Sequence, residues 1–211
     1  NGGLMSYRLA LELSDRIAAI GAVIAGLPVN SGCSAVAANP LSVLIMNGSG
    51  DTFYMPWSGG QVAGNRGLVR SAADTRDYWR SFLGSTSSLS HVRFPDLDAT
   101  DGGRASLDQY CGGTDGTALA FFTIEGAGHT YPSIAHPISA AGESIFGKQN
   151  HDIESAREIW KFLERQRLHG HTAACGDLCV DPGETCDDGN SADGDCCAAD
   201  NPVTAQRARD A

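Results

Sequence analysis

Apolar residues recur along this chain in two rhythms. In residues 4–13, Met5, Leu9 and Leu13 return at a spacing of four, which draws one apolar stripe along a helix. Gly2 and Gly3 open that helix, so its first turn can press against neighbouring backbone. Residues 17–24 and 41–46 are short apolar runs, each closed by turn residues: Gly26-Leu27-Pro28 after the first, Asn47-Gly48-Ser49-Gly50-Asp51 after the second. Both read as buried strands. Residues 71–83 set Ala72, Tyr78, Trp79, Phe82 and Leu83 among charges, a helical pattern. Ser71 and Asp74 open it as a capping box with Asp in the place of Glu. Residues 85–104 are polar and irregular. Residues 107–111, the turn Gly112-Gly113-Thr114-Asp115-Gly116 and residues 117–124 read as a hairpin. A long loop covers 126–150, and Ile153, Ala156, Trp160 and Leu163 then mark the packed face of a helix ending near Gln166. The order helix, strand, strand, helix, hairpin, helix predicts an α/β layered domain over residues 1–168, with a mostly parallel sheet and helices on both faces.

Composition changes this picture at the C-terminal end. Of 211 residues, 42% are hydrophobic, enough for one medium domain and an appendage. The net charge is −10, and the segment from Ala173 onward holds nine carboxylates against two arginines. An acidic chain without a basic stripe argues against a nucleic-acid partner. No run of 18 apolar residues suggests a membrane span. Of the seven cysteines, Cys33 and Cys111 lie in the body; Cys175, Cys179, Cys186, Cys196 and Cys197 crowd the acidic end. Such density reads as a disulfide framework made in an oxidising compartment, hence a secreted protein. The tail's count is odd, so one of its thiols is free or pairs with the body or another chain. Residues 169–174 read as a linker, 175–201 as a cysteine-rich repeat and 202–211 as a disordered end.

The candidate chemistry lies where strands stop. Phe121-Phe122-Thr123-Ile124 runs into Glu125-Gly126-Ala127-Gly128-His129-Thr130-Tyr131-Pro132, so a histidine sits on a glycine loop beyond a core strand. Asp51 follows an earlier strand in the same way. Acid before histidine, each on a post-strand loop, is the order found in α/β hydrolases. There the acid orients the imidazole and stabilises imidazolium while a serine is deprotonated. Taken alone, Asp51 also reads as an ordinary turn aspartate and His129 as a surface histidine.

Three motifs together resemble one family. Val43-Leu44-Ile45-Met46-Asn47-Gly48-Ser49-Gly50-Asp51, followed by Pro56-Trp57-Ser58-Gly59-Gly60, is similar to the acid loop of the secreted polyhydroxybutyrate depolymerase and feruloyl esterase family. Gly126-Ala127-Gly128-His129-Thr130-Tyr131-Pro132 resembles its histidine loop. Asn1-Gly2-Gly3-Leu4-Met5-Ser6-Tyr7 resembles the helix that follows its nucleophile elbow. The resemblance covers about residues 1–166 and implies an α/β-hydrolase fold, with Asp51 as triad acid, His129 as base and no cofactor or metal. It also implies that the nucleophilic serine immediately precedes Asn1, whose backbone nitrogen is one oxyanion-hole donor. The chain is therefore expected to be the C-terminal part of a serine esterase, and inactive alone. In that fold the strand around Ile20 pairs with the one leading to the serine, so an open apolar edge and poor solubility are expected. Implied substrates are a hydroxyalkanoate polyester or a feruloyl or acetyl ester of plant polysaccharide. Trp57 and Tyr131 flank the two loops and either line a substrate cleft or simply pack. Cys33 and Cys111 are one possible disulfide; the family's usual cysteine after the helix matching 71–83 is replaced here by Gly84-Ser85-Thr86.

The tail, from Cys175-Gly176-Asp177 through Pro182-Gly183-Glu184-Thr185-Cys186-Asp187-Asp188-Gly189-Asn190 to Asp193-Gly194-Asp195-Cys196-Cys197, resembles short cysteine-rich repeats appended to secreted bacterial proteins, notably myxobacterial ones. A solvated disulfide knot is its plainest reading. Calcium on its carboxylates and zinc at His169, His171, Cys175 and Cys179 are alternatives. For the whole chain the alternative to an esterase is a non-catalytic secreted binding or surface-attachment module, with the body as scaffold.

Overall fold

The computed structural model describes residues 1–30, 37–84, 88–168, 170, 171 and 179. Helix α1 (Gly2–Glu12) leads to strands β1 (Ala19–Val23) and β2 (Ser42–Gly48). A small ladder of β3 (Gly60–Gln61) with β4 (Leu68–Val69) precedes helix α2 (Ala72–Leu83). Strands β5 (Ser88–Arg93), β6 (Arg104–Cys111) and β7 (Leu119–Glu125) follow, then helices α3 (Ala140–Phe146) and α4 (Ser155–Leu163). A last short ladder joins β8 (Gln166–Arg167) to β9 (Gly170–His171).

Five strands form one sheet in the order β1-β2-β7-β6-β5. Strands β1, β2 and β7 run parallel, whereas β6 and β5 are each antiparallel to their neighbour. The sheet is thus mixed rather than mostly parallel. The predicted hairpin is present as β6–β7, turning through a 3-10 segment at Thr114–Gly116, and a hairpin by its nature reverses direction. Strand β5 lies within the stretch read as irregular. It is an edge strand, and Leu89, His91 and Arg93 face solvent; an edge needs no apolar run and so leaves a weak signal.

Strand alternation divides the core into two layers. Val43, Ile45, Leu119 and Phe121 face α1 and α2, packing with Tyr7, Ala10, Leu11, Trp79 and Leu83. Leu44, Met46, Ala120, Phe122 and Ile124 face the other way, onto Ile153, Ile159, Phe162 and Leu163 around α4. Helices therefore cover both faces. The capping box is present: Ser71 Oγ accepts from the Asp74 N–H at 2.9 Å and donates to its carboxylate at 2.7 Å.

Two helix faces differ from expectation. On α1 the predicted stripe of Met5, Leu9 and Leu13 faces outward, with Met5 52% exposed. The buried face is Gly3, Tyr7, Ala10 and Leu11: a side chain at Gly3 would overlap Ala25, and Tyr7 Oη donates to the Ala25 carbonyl at 3.2 Å. Small residues win there because they let the helix approach the sheet. On α4, Ala156 and Trp160 point outward, Trp160 at 65% exposure, and Phe162 is the buried anchor. The long loop read across 126–150 also contains α3.

Cys111, at the end of β6, is disulfide-bonded to Cys179. The suggested pairing with Cys33 does not occur. One cysteine of the tail is thus joined to the body, and Cys179, being oxidised, offers no thiolate to zinc. Cys33, Cys175, Cys186, Cys196 and Cys197 lie outside the described residues, as do the calcium reading, the repeat beyond Cys179 and the 202–211 end. Among the described residues no helix is long and apolar enough to cross a membrane.

Candidate active site

Parallel strands β1, β2 and β7 all end at one edge of the sheet, and in such sheets ligands bind beyond the strands' carboxyl ends. Three segments meet there. The first turn of α1 touches the residues just past β1, where a Cβ on Gly3 would meet Ala25 and the Val23 carbonyl. Asn47, at the end of β2, clasps Ala25, accepting from its N–H at 2.8 Å and donating to its carbonyl at 3.2 Å. Between them Ile24 adopts φ 54°, a left-handed conformation that costs a β-branched residue about 1–3 kcal/mol.

The loops carrying the two predicted catalytic residues cross backbone to backbone. Gly50 N–H donates to the Ala127 carbonyl at 2.8 Å, and Ser49 Oγ accepts from the Gly126 N–H at 3.0 Å. A Cβ on Gly48 would overlap the carbonyls of Ala127 and Gly128, and one on Gly128 would overlap the Phe146 carbonyl and Gly147. Glycine is required at these two positions by contact rather than by torsion. The crossing brings together residues 78 apart in sequence.

Asp51 and His129 meet as the sequence suggested. His129 Nδ1 lies 2.7 Å from Asp51 Oδ2, with the carboxylate side chain 2% and the imidazole 30% exposed. Asp51 also closes a tight turn: Oδ1 accepts from the N–H groups of Phe53 (3.3 Å), Tyr54 (2.9 Å) and Met55 (3.1 Å), and Oδ2 accepts from Met55. Burial pushes this carboxyl's pKa up, but the His129 hydrogen bond, the N–H of Met55, the imidazole's charge and the N–H of Phe53 together hold it below the ordinary range. Asp51 is therefore an anion at neutral pH, and it selects the His129 tautomer with the proton on Nδ1. Nε2 is then the basic nitrogen, and it makes no hydrogen bond among the described residues. No serine hydroxyl among them is bonded to His129.

The His129 loop is held from beneath by residues that the sequence reading passed over. His129 N–H donates to the Phe146 carbonyl at 2.6 Å, and Gly128 N–H to the Lys148 carbonyl at 2.9 Å. Gln149, 1% exposed, donates to the carbonyls of Tyr131 and His136 and accepts from the Ile138 N–H. Glu154 accepts from the N–H groups of Ile134 and Ala135 and from the Ser133 hydroxyl. Buried Asp152 accepts from the Leu97 and Ala105 N–H groups and from Asn150, tying this segment to β6. Such polar anchors in an apparent loop carry no periodicity; only the density of Asn, Asp and Gln at 149–152 hints at them.

The remaining predicted residues are spread along the same edge. Asn1 caps α1 through its carbonyl, which accepts from Met5 N–H at 3.0 Å, and no hydrogen bond joins it to Asp51 or His129. Trp57 is half-buried against the core beside Phe121. Tyr131 is 47% exposed. The ring that lies on the imidazole belongs to Tyr54, with centroids 5.2 Å apart. Next to the carboxyl end of β7, Asp98, Asp101 and His151 bring potential metal-ligating atoms together; there His151 Nδ1 bonds Asp98 at 3.1 Å, while Asp101 accepts from Gly103, Asn150 and His151. The chain matches no protein-family profile, no curated protein and no solved structure.

Proposed function

We propose that this chain provides the acid and base of a secreted serine carboxylic-ester hydrolase. The observation that carries this reading is the 2.7 Å contact between His129 Nδ1 and a buried Asp51 carboxylate that backbone N–H groups hold in place. In the proposed reaction a serine hydroxyl attacks the ester carbonyl and passes its proton to His129 Nε2. Asp51 stabilises the resulting imidazolium, which then protonates the departing alcohol. Water, deprotonated by the same nitrogen, releases the acid from the acyl-enzyme. The serine would come from sequence preceding Asn1, and Asn1's backbone nitrogen, as an amide there, would donate to the oxyanion. Two features support that assignment: the motif resemblance, and the contact of α1's first turn with the sheet edge that carries both loops. The polyester or polysaccharide-ester substrate remains part of the proposal, as do secretion and the inactivity of this chain alone.

The test is to express the chain with its upstream coding sequence and assay p-nitrophenyl acetate with and without a serine-directed inhibitor. Inhibitable turnover that disappears in His129→Ala is expected. Turnover indifferent to His129, or no serine before Asn1, would remove the triad and leave a binding module as the better reading.

A further inference from the structure

One aromatic ring covers a flat face of the proposed base. Tyr54 lies on the His129 imidazole with centroids 5.2 Å apart and planes tilted by 31°, closer to stacked than to edge-on. Phe53 meets Tyr54 edge-on at 5.2 Å and 76°, and Phe146 meets it at 5.4 Å and 43°. Tyr54 is thus held by two further rings while it rests on the imidazole. Its backbone is tied to the acid, since Tyr54 N–H donates to Asp51 Oδ1 at 2.9 Å. The Phe146 carbonyl accepts from His129 N–H, so a ring that steadies Tyr54 is anchored to the base as well.

The imidazole meets negative charge in two directions. In its own plane, Nδ1 faces the Asp51 carboxylate at 2.7 Å. Across its plane stands Tyr54. The face of an aromatic ring is negative, and a cation within about 6 Å of its centroid is attracted to it. A neutral imidazole gains little from that field, whereas an imidazolium gains from it directly. The adjoining segments add no ionic side chain: residues 52–60 and 126–139 contain no Asp, Glu, Lys or Arg, and His136 is the other titratable histidine of that loop. Of the charged residues packed beneath the loop, Glu143 and Lys148 pair with each other at 2.8 Å, and Glu154 is bonded to Ser133, Ile134 and Ala135.

We propose that Tyr54 is a positioning residue for His129, its ring face stabilising the imidazolium that forms when the base takes up a proton. This rests on the esterase reading of the same site, in which imidazolium forms at each proton transfer. A ring that only shielded the imidazole from water would be replaceable by any apolar side chain of similar bulk. A ring that acts through its π face is replaceable by phenylalanine and not by leucine.

Two measurements separate this role from the esterase reading. The first needs no nucleophile: the His129 ring resonances of this chain are followed by NMR as pH is varied. Tyr54→Phe is expected to titrate like the parent, and Tyr54→Leu to need about threefold more acid to protonate the ring. Each variant keeps the backbone N–H that Asp51 uses. Where leucine disturbs the turn, pentafluorophenylalanine at position 54 keeps the ring's shape and reverses the polarity of its face, and a change in the same direction is expected. The second measures kcat/KM against pH for p-nitrophenyl acetate on the chain extended upstream. There Tyr54→Leu is expected to move the acid limb to lower pH by the same factor, and Tyr54→Phe to leave it in place. The NMR change without turnover would uphold the hold of Tyr54 on the imidazolium and overturn the esterase. Turnover with the titration and the acid limb both unmoved by leucine or the fluorinated ring would overturn the role of Tyr54 and leave the esterase standing. Neither the change nor turnover would overturn both.

Discussion

Asp51 serves the fold and, in the proposed esterase, the chemistry with one carboxylate. Its Oδ1 closes the 53–55 turn while Oδ2 orients His129. In the upstream-extended protein, Asp51→Asn is expected to lower kcat about 10⁴-fold, the size seen when a triad acid becomes an amide and the wrong tautomer is favoured. On this chain alone, ¹⁵N shifts of the imidazole should report the Nδ1–H form for the parent and its loss in the variant. The same residue sets an acid limit. Its folded-state pKa lies below its unfolded value of about 3.9, so the stability it contributes is complete above that value and is lost as pH falls through the lower folded one. Glu154 is depressed in the same direction, first by the Ala135 N–H, and the Ser133 hydroxyl and Ile134 N–H add to it, offsetting desolvation. Amide protection factors, taken relative to intrinsic exchange at each pH, should therefore fall together at 133–135 and 53–55 below about pH 4; protection unchanged to about pH 2 would contradict this. At this scale Asp51 and His129 were legible because each follows an apolar run through glycine turn residues. Tyr54 and Phe146 were not, because what makes them neighbours of His129 is the crossing of two loops and not any local spacing.

Helix faces test the packing element by element. The spacing of four on α1 marks an apolar stripe that the fold leaves outside, and of the set 153, 156, 160, 163 around α4 the fold buries Ile153 and packs Leu163 on the core but leaves Ala156 and Trp160 outside. Periodicity counts size and polarity; the sheet instead accepts the side that can come close. Gly3 and Ala10 on α1 provide such a side, and Gly21 on β1 does so for α4, where a Cβ would stand 3.3 Å from Ile159. The consequence is measurable. Phe162→Ala is expected to cost about 3 kcal/mol in urea unfolding, while Trp160→Ser should stay within about 0.5 kcal/mol. The reverse order would mean that α4 is turned the other way. Strand β5 escaped the sequence for a related reason: an edge strand with one solvated side presents polar residues and mimics a loop. The hairpin, the capping box that opens α2 and the two parallel strands were legible because their signals are local.

Across the molecule, the sheet begins and ends differently. At one margin β5 is guarded by His91 and Arg93; at the other, among the described residues, no strand pairs with the outer side of β1. An open edge beside the outward stripe of Met5, Leu9 and Leu13 favours self-association. Met5→Lys with Leu9→Lys is expected to raise the concentration at which light scattering appears, with the circular dichroism unchanged; no change would show that association arises elsewhere. The Cys111–Cys179 bond spans 68 residues. By loop entropy its removal in Cys179→Ser is expected to cost about 4 kcal/mol, or roughly 10 °C in Tm.

That bond also divides Asp51 and His129 between different parts of the covalent map. His129, α3 and α4 lie inside a closed ring of chain, and Asp51 lies on the open strand before it. A protease that nicks any exposed loop between Gly112 and Leu178 makes a new pair of ends but frees no fragment. On a gel run without reductant such a molecule migrates as one piece, and only reduction reveals the break. A cut between Asp51 and Cys111, by contrast, leaves Asp51 and His129 on pieces that this bond does not join. Damage on one side of Cys111 is therefore tethered, and damage on the other is not.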